Sequence, residues 1–222
     1  LSSPVSGAVT TAGNTYYKYV EAGNNGTTWA TVNTGVGYDK MVGYIAQAPS
    51  ANTINFTGTL NNGPQSITGL TSTGTAKVGF NLIGNPYPSY VNWDHASNTK
   101  TNMGSSIWYR TKNNATTSVY VFDTYDATAG IGTNLNGLGD VTANIPPMQA
   151  FWVKVNAGQT GTVGFTNEAR SHADNALPNN KFRVSSANNT LQKVIRLQVS
   201  NGTNSDEAIV LFNPNALNEL DN

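Results

Sequence analysis

No window of a dozen residues in this chain repeats apolar side chains at i, i+3, i+4 and i+7, whereas short apolar or alternating runs recur throughout, closed by Gly, Asn or Pro. That pattern leaves no room for packed amphipathic helices and predicts a succession of short strands. The expected strands are Thr15–Glu21, Trp29–Val32, Met41–Ala46, Ile54–Leu60, Gln65–Leu70, Gly79–Gly84, Ile107–Arg110, Ser118–Phe122, Ala150–Val155, Gly161–Phe165, Lys181–Ser186, Lys193–Ser200 and Glu207–Phe212. The polar residues between them are mainly Asn, Thr, Ser and Gly. Asn and Ser bond their own backbone in turns and compete with helices, while Thr suits strands.

Two of these runs are apolar on both faces. Alternation puts Phe151, Val153 and Val155 on one side and Trp152 with Lys154 on the other, and Ile107-Trp108-Tyr109-Arg110 repeats the arrangement. Strands with a core on one side and aromatic rings on the other suit an all-β, antiparallel, jelly-roll-like sandwich with covering loops. The alternative for the second face is an exposed aromatic platform.

The strand rhythm breaks near Ser171–Asn180. The expected organisation is a sandwich over residues 1–175, followed over 176–222 by a linker and a β-hairpin that either begins a second β-domain or packs on the first. A hairpin alone is marginal in water. Asp126–Thr142 is a Gly-rich excursion too long for a tight turn, and Thr111–Ser118 reads as a polar hairpin turn.

Charge and composition exclude whole classes of function. With 12 basic and 12 acidic residues, and no block of either sign, the footprint of a nucleic-acid binder is missing. Cysteine is absent, which removes disulfides, thiolate metal sites and cysteine nucleophiles. No apolar run approaches the roughly 20 residues needed to span a bilayer, so membrane insertion is not expected. Since Leu1-Ser2-Ser3-Pro4 lacks an initiator Met, the chain is expected to be a mature or excised piece of something longer.

Titratable groups are sparse. Asp94-His95 could form half of a hydrolase relay, and His172 stands near Arg170 and Asp174, but no G-x-S-x-G elbow accompanies either histidine, so no enzyme is expected. Asp123, Asp126 and Asp140 flank the Gly-rich excursion and are the candidate calcium ligands, although their spacing fits no EF-hand; no other cofactor is implied. For sugar stacking the candidates are Trp93, Trp108, Trp152 and Tyr87, against the alternative that such rings fill the core.

The stretch Gly79-Phe80-Asn81-Leu82-Ile83-Gly84-Asn85-Pro86-Tyr87-Pro88-Ser89 runs a strand into two prolines. Each proline fixes its own φ and biases the preceding Asn85 or Tyr87 to an extended conformation. A rigid corner results, with either X-Pro bond a candidate for cis and Pro88 the better one. That corner is expected to carry Trp93 back against the sheet.

Together with Asn92-Trp93-Asp94, the stretch resembles the Trp-Asn-Leu-Ile/Val-Gly-Asn-Pro-Tyr-Pro-Ser signature of large secreted and surface proteins of Bacteroidetes exported by type IX secretion. Lys40-Met41-Val42-Gly43-Tyr44, Phe56-Thr57-Gly58-Thr59-Leu60-Asn61-Asn62-Gly63 and Ile145-Pro146-Pro147-Met148-Gln149-Ala150-Phe151-Trp152-Val153 resemble three further segments of that family, in the same order. Phe80 departs from its usual Trp, and Met41-Val42 from its first Gly pair. The resemblance spans roughly residues 15–215 and implies a β-sandwich upstream of a sorting domain, with no catalytic residue to carry over.

The function expected on these grounds is that of a non-catalytic extracellular module of a large bacterial surface or secreted protein, located at the outer-membrane surface or beyond and serving adhesion or surface assembly. Its expected partner is a surface glycan or a protein receptor. The alternatives are a carbohydrate-binding accessory module of a glycan-degrading enzyme, and a subunit that self-assembles through its terminal strands, since strand edges invite augmentation.

Overall fold

A computed structural model describes residues 1–23, 28–50, 53–75, 77–112, 119–135, 141–171, 193–200 and 205–212. The first strands are β1 (Val5–Ser6), β2 (Thr15–Tyr19), β3 (Trp29–Val32), β4 (Tyr44–Gln47), β5 (Thr59–Leu60), β6 (Gln65–Leu70) and β7 (Phe80–Gly84). Next come β8 (Tyr90–Asn92), β9 (Thr99–Thr101), β10 (Ser106–Lys112), β11 (Tyr120–Asp126), β12 (Ile131–Thr133) and β13 (Asn144–Ile145). The series closes with β14 (Ala150–Lys154), β15 (Gly161–Phe165), β16 (Arg170–Ser171), β17 (Lys193–Ser200) and β18 (Ser205–Phe212). Every pairing among them is antiparallel. The fold is all-β, as the strand rhythm requires.

The chain divides into two units, Leu1–Arg183 and Val184–Asn222. In the second, β17 and β18 form a hairpin in register from Lys193↔Phe212 to Ser200↔Ser205. The expected strand Lys181–Ser186 and the Asn201–Asn204 turn lie outside the described residues.

In the first unit a five-stranded sheet runs in the order β12-β11-β10-β14-β7, and two three-stranded sheets, β13-β8-β16 and β6-β15-β9, share one core with it. Ile107, Tyr109, Phe151, Val153 and Ile83 come to that core from the large sheet, and Val91, Ile145, Val163, Phe165 and Leu70 from the two smaller ones. Trp93 ties the layers together, meeting Phe151 edge-on at 5.8 Å and Phe165 at 6.2 Å. Edge-to-face pairs of this kind each add about 1 kcal/mol beyond the area they bury. A further sheet, β3-β2-β4, carries its own cluster of Tyr16, Tyr38 and Tyr44.

The proline corner owes its rigidity as much to Asn85 as to the prolines. The fully buried Asn85 accepts the Tyr87 N–H on Oδ1 (2.9 Å) and turns Nδ2 toward the carbonyls of Ser89 (2.8 Å), Ile145 (3.1 Å) and Pro146 (2.9 Å). Asn61 fastens the other side, donating from Nδ2 to the Pro86 carbonyl at 2.8 Å. All peptide bonds among the described residues are trans, including both X-Pro bonds of the corner.

Several strands differ from expectation. The Met41–Ala46 run becomes a strand only at Tyr44: Met41 takes φ 59° in a turn, and Val42 makes a single antiparallel bridge to Ile83 of β7, with the Gly43 N–H donating to the Leu82 carbonyl at 3.1 Å. Of Ile54–Leu60 only Thr59–Leu60 is a strand. Conversely, β11 continues to Asp126, four residues past its expected end at Phe122.

Candidate functional site: an aromatic groove on the outer sheet face

Alternation along β10, β11 and β14 sends one set of side chains into the core and the other to the opposite face. Trp108 lies across from Trp152 on β14 and from Thr124 on β11, and Arg110 across from Phe122, so these side chains share the outer face. Trp152 is 9% exposed and forms the floor of a groove there. Tyr19 of β2 stands edge-on to it at 4.8 Å and Trp29 of β3 at 6.0 Å, and the two meet each other at 5.2 Å. On the other side Phe80 of β7 contacts Trp108 at 5.2 Å, and Phe122 is 47% exposed. The groove is open to solvent and holds about 750 Å3, within the range of small-molecule sites.

The polar part of this groove is cationic. Arg110 and Lys77 line it, with the exposed Arg110 guanidinium lying 4.3 Å over the Tyr120 ring. Lys154, exposed on the same face, sits 5.3 Å over Phe80. Among the described residues, no carboxylate and no histidine lines the groove. None of the three cations forms a salt bridge among the described residues, where the single pair is Lys18–Asp39.

Glu21 explains how Lys77 is held. This carboxylate is 3% exposed and accepts from the Thr71 hydroxyl (2.7 Å) and from the N–H groups of Thr73 (3.0 Å), Gly74 (3.1 Å) and Gly79 (2.7 Å). Burial alone would raise its pKa, but these donors outweigh it, the Gly79 N–H foremost, and hold the carboxyl below its usual range. The loop so fixed bears Lys77 at φ 58°, a left-handed conformation that costs a non-glycine residue about 1 kcal/mol. Burial, and then the charge of Glu21, raises the pKa of Tyr19, so its phenol stays neutral. Its buried hydroxyl has no hydrogen-bond partner among the described residues.

Of the four rings expected to stack on sugar, the structure brings two together: Trp108 and Trp152 line the groove. The other two are corrected to core residues. Tyr87 is fully buried, its hydroxyl donating to the carbonyls of Gly63 (2.7 Å) and Phe165 (3.2 Å), and Trp93 is fully buried with Nε1 donating to the Ser105 carbonyl at 2.8 Å.

The candidate calcium ligands do not converge either. Asp123 and Asp126 are three apart on β11 and therefore point to opposite faces of the sheet. Asp123 is fully buried, bonded to the Thr111 hydroxyl (2.8 Å) and the Leu135 N–H (2.7 Å), while Asp126 takes the Thr128 N–H at 2.9 Å. Asp140 lies outside the described residues, among which no group of three or more His, Cys, Asp or Glu could hold a metal ion.

Asp94 and His95 are likewise engaged apart. Asp94 accepts from the Tyr125 hydroxyl, whose pKa is pushed up to about 12 by burial and by that carboxylate, while His95 Nδ1 bonds Ser97 at 2.8 Å within its own turn. His172 and Asp174 lie outside the described residues.

Sequence reasoning missed Tyr19, Phe80, Lys77, Arg110 and Phe122 as groove residues, and named Trp29 only as one of four tryptophans able to stack on a sugar. A signal for Arg110 was present, since the alternation that turns Trp108 outward turns Arg110 outward with it. Nothing local in the sequence places Tyr19 and Trp29 against Trp152, more than a hundred residues away.

The family model described as "Domain of unknown function (DUF8693)" matches residues 1–222, and the chain belongs to that family. No curated protein and no solved structure matches it.

Proposed function

We propose that this member of a domain family of unknown function is a non-catalytic binding module of a bacterial surface or secreted protein, and that it adheres to carbohydrate through the groove of Trp108, Phe80 and Trp152. The groove itself carries the reading: flat aromatic rings gathered on the solvent side of a rigid sheet are what a pyranose ring stacks on. Further support comes from the lining, which presents a guanidinium and an ammonium for hydroxyl groups and, among the described residues, no acid–base pair for bond cleavage. The surface location rests on the order of motifs shared with secreted Bacteroidetes proteins and on a cysteine-free, polar, weakly charged composition.

The test is a glycan array followed by calorimetry on the best ligand, with Trp108→Ala and Phe80→Ala alongside the parent chain. Each substitution should weaken binding by about tenfold, the loss of one ring contact, while leaving the thermal midpoint within a few degrees. Failure of the parent chain to bind any glycan, or full binding by both variants, sinks the proposal.

A further inference from the structure

We infer that the groove selects anionic glycans, sugars carrying a carboxylate or a sulfate, through Arg110 and Lys77. The inference rests on the carbohydrate reading above and adds the class of ligand. Overall the protein is electrically balanced, with 12 basic and 12 acidic residues, yet among the described residues the two charged groups lining this groove are both cations. Lys154 adds a third on the same face.

The carboxylates nearby are already committed. Glu21 is buried under four donors, and Asp126, on the outer face beyond Thr124, takes the Thr128 N–H. Neither carboxylate forms a salt bridge with Arg110, Lys77 or Lys154 among the described residues, so an anion entering the groove can pair with these cations directly. A planar guanidinium forks onto a carboxylate or sulfate, and an ammonium adds a point charge.

Two details suit a charged sugar more than a neutral one. Arg110 stacks on Tyr120, which steadies the guanidinium without using up its N–H donors. Lys77 stands in a left-handed backbone conformation, maintained because Glu21 grips the loop on both sides of it, at Thr73, Gly74 and Gly79. Strain kept at a rim position is a mark of a placed side chain.

An acidic peptide is the competing occupant of such a groove. It is disfavoured because the groove crosses the middle of the sheet, over β14 and β10, whose backbones are already paired on both sides. Those two central strands have no free main-chain hydrogen bonds of the kind by which extended peptides are usually held.

The deciding experiment prints matched neutral, uronic-acid and sulfated oligosaccharides on one array, with an aspartate-rich peptide spotted beside them. It is probed with the 222-residue chain and with Arg110→Gln, Lys77→Gln and the surface control Lys40→Gln. Expected is at least a tenfold preference for acidic over neutral glycans, cut about tenfold by Arg110→Gln and less by Lys77→Gln, unchanged by Lys40→Gln, and weakened as salt rises to about 0.5 M. The uronic-acid and sulfated arms show which anion the groove prefers. Equal binding of neutral and acidic glycans, or an Arg110→Gln and Lys77→Gln pair that both bind like the parent, overturns this inference and leaves carbohydrate binding standing. Binding to the acidic peptide alone, or to nothing on the array, overturns both.

Discussion

Replacing Asn85 tests whether the proline corner is held by its prolines or by one amide. The Asn85 side chain is fully buried, its Oδ1 takes the Tyr87 N–H, and its Nδ2 faces three carbonyl oxygens from two separate segments. An amide nitrogen has two hydrogens, so three acceptors share two donors and the side chain makes the equivalent of three hydrogen bonds. At about 1 kcal/mol each, with buried carbonyls and one N–H left unmatched, Asn85→Ala should cost about 3 kcal/mol. For a unit of this size that lowers the thermal midpoint by about 6–12 °C. Asn85→Asp keeps the shape but turns a carboxylate toward three carbonyl oxygens, so near neutral pH it should cost more than alanine does. Urea denaturation followed by tryptophan fluorescence is the assay, because all four tryptophans belong to the first unit and report on it alone. A loss under about 1 kcal/mol for Asn85→Ala, or better tolerance of aspartate than of alanine, would show that the prolines alone set the corner.

Glu21 has its pKa held below the usual 4.5, so its contribution to stability is fully present above that value and is lost as pH falls through the lowered one. Glu21→Gln should therefore be less stable at neutral pH, with the gap to the parent closing below pH of about 4.5; a gap that stays constant in urea titrations from neutral to acid pH would refute this. A Cβ added at Gly43 would stand 2.6 Å from Leu82 Cγ, 2.8 Å from the Ile83 carbonyl and 3.0 Å from Ala150 Cβ, so Gly43→Ala should cost about 1–3 kcal/mol. Gly37→Ala, whose Cβ would meet only the Ala8 carbonyl at 3.8 Å, should be neutral or slightly stabilising, and equal midpoints for the two variants in a thermal melt would contradict the packing account.

What the chain reveals before folding depends on how far each cause reaches along it. Proline restricts its own φ and its neighbour's, and Asn85 bonds the backbone two residues on, so the corner is legible from adjacent residues. Strand alternation is also local, which is why the two-sided character of Phe151–Val155 and Ile107–Arg110 could be read directly. The two- and three-residue strands β1, β5, β8, β9, β12, β13 and β16 are too short to show a period, and they exist because a neighbouring strand offers them a ladder.

Exposure is where local reading fails. Trp93 stands between polar Asn92 and Asp94 and Trp152 between apolar Phe151 and Val153, yet it is Trp93 that closes the core while Trp152 floors the groove. The difference is set by which face of which sheet each side chain takes, and that is decided by pairings such as Trp108↔Trp152 and Ala143 to Trp93, far apart in the chain. The aspartates follow the same logic. In a loop, Asp123 and Asp126 could have turned toward one ion, but β11 runs on to Asp126 and a strand sends residues three apart to opposite faces. The continuation that separates those carboxylates also keeps Phe122 and Thr124 on the face of Trp108 and Arg110. One extension of one strand thus parts two carboxylates that a loop could have brought together, and places Thr124 and Asp126 on the outer face that, on the proposal above, answers to anionic sugars.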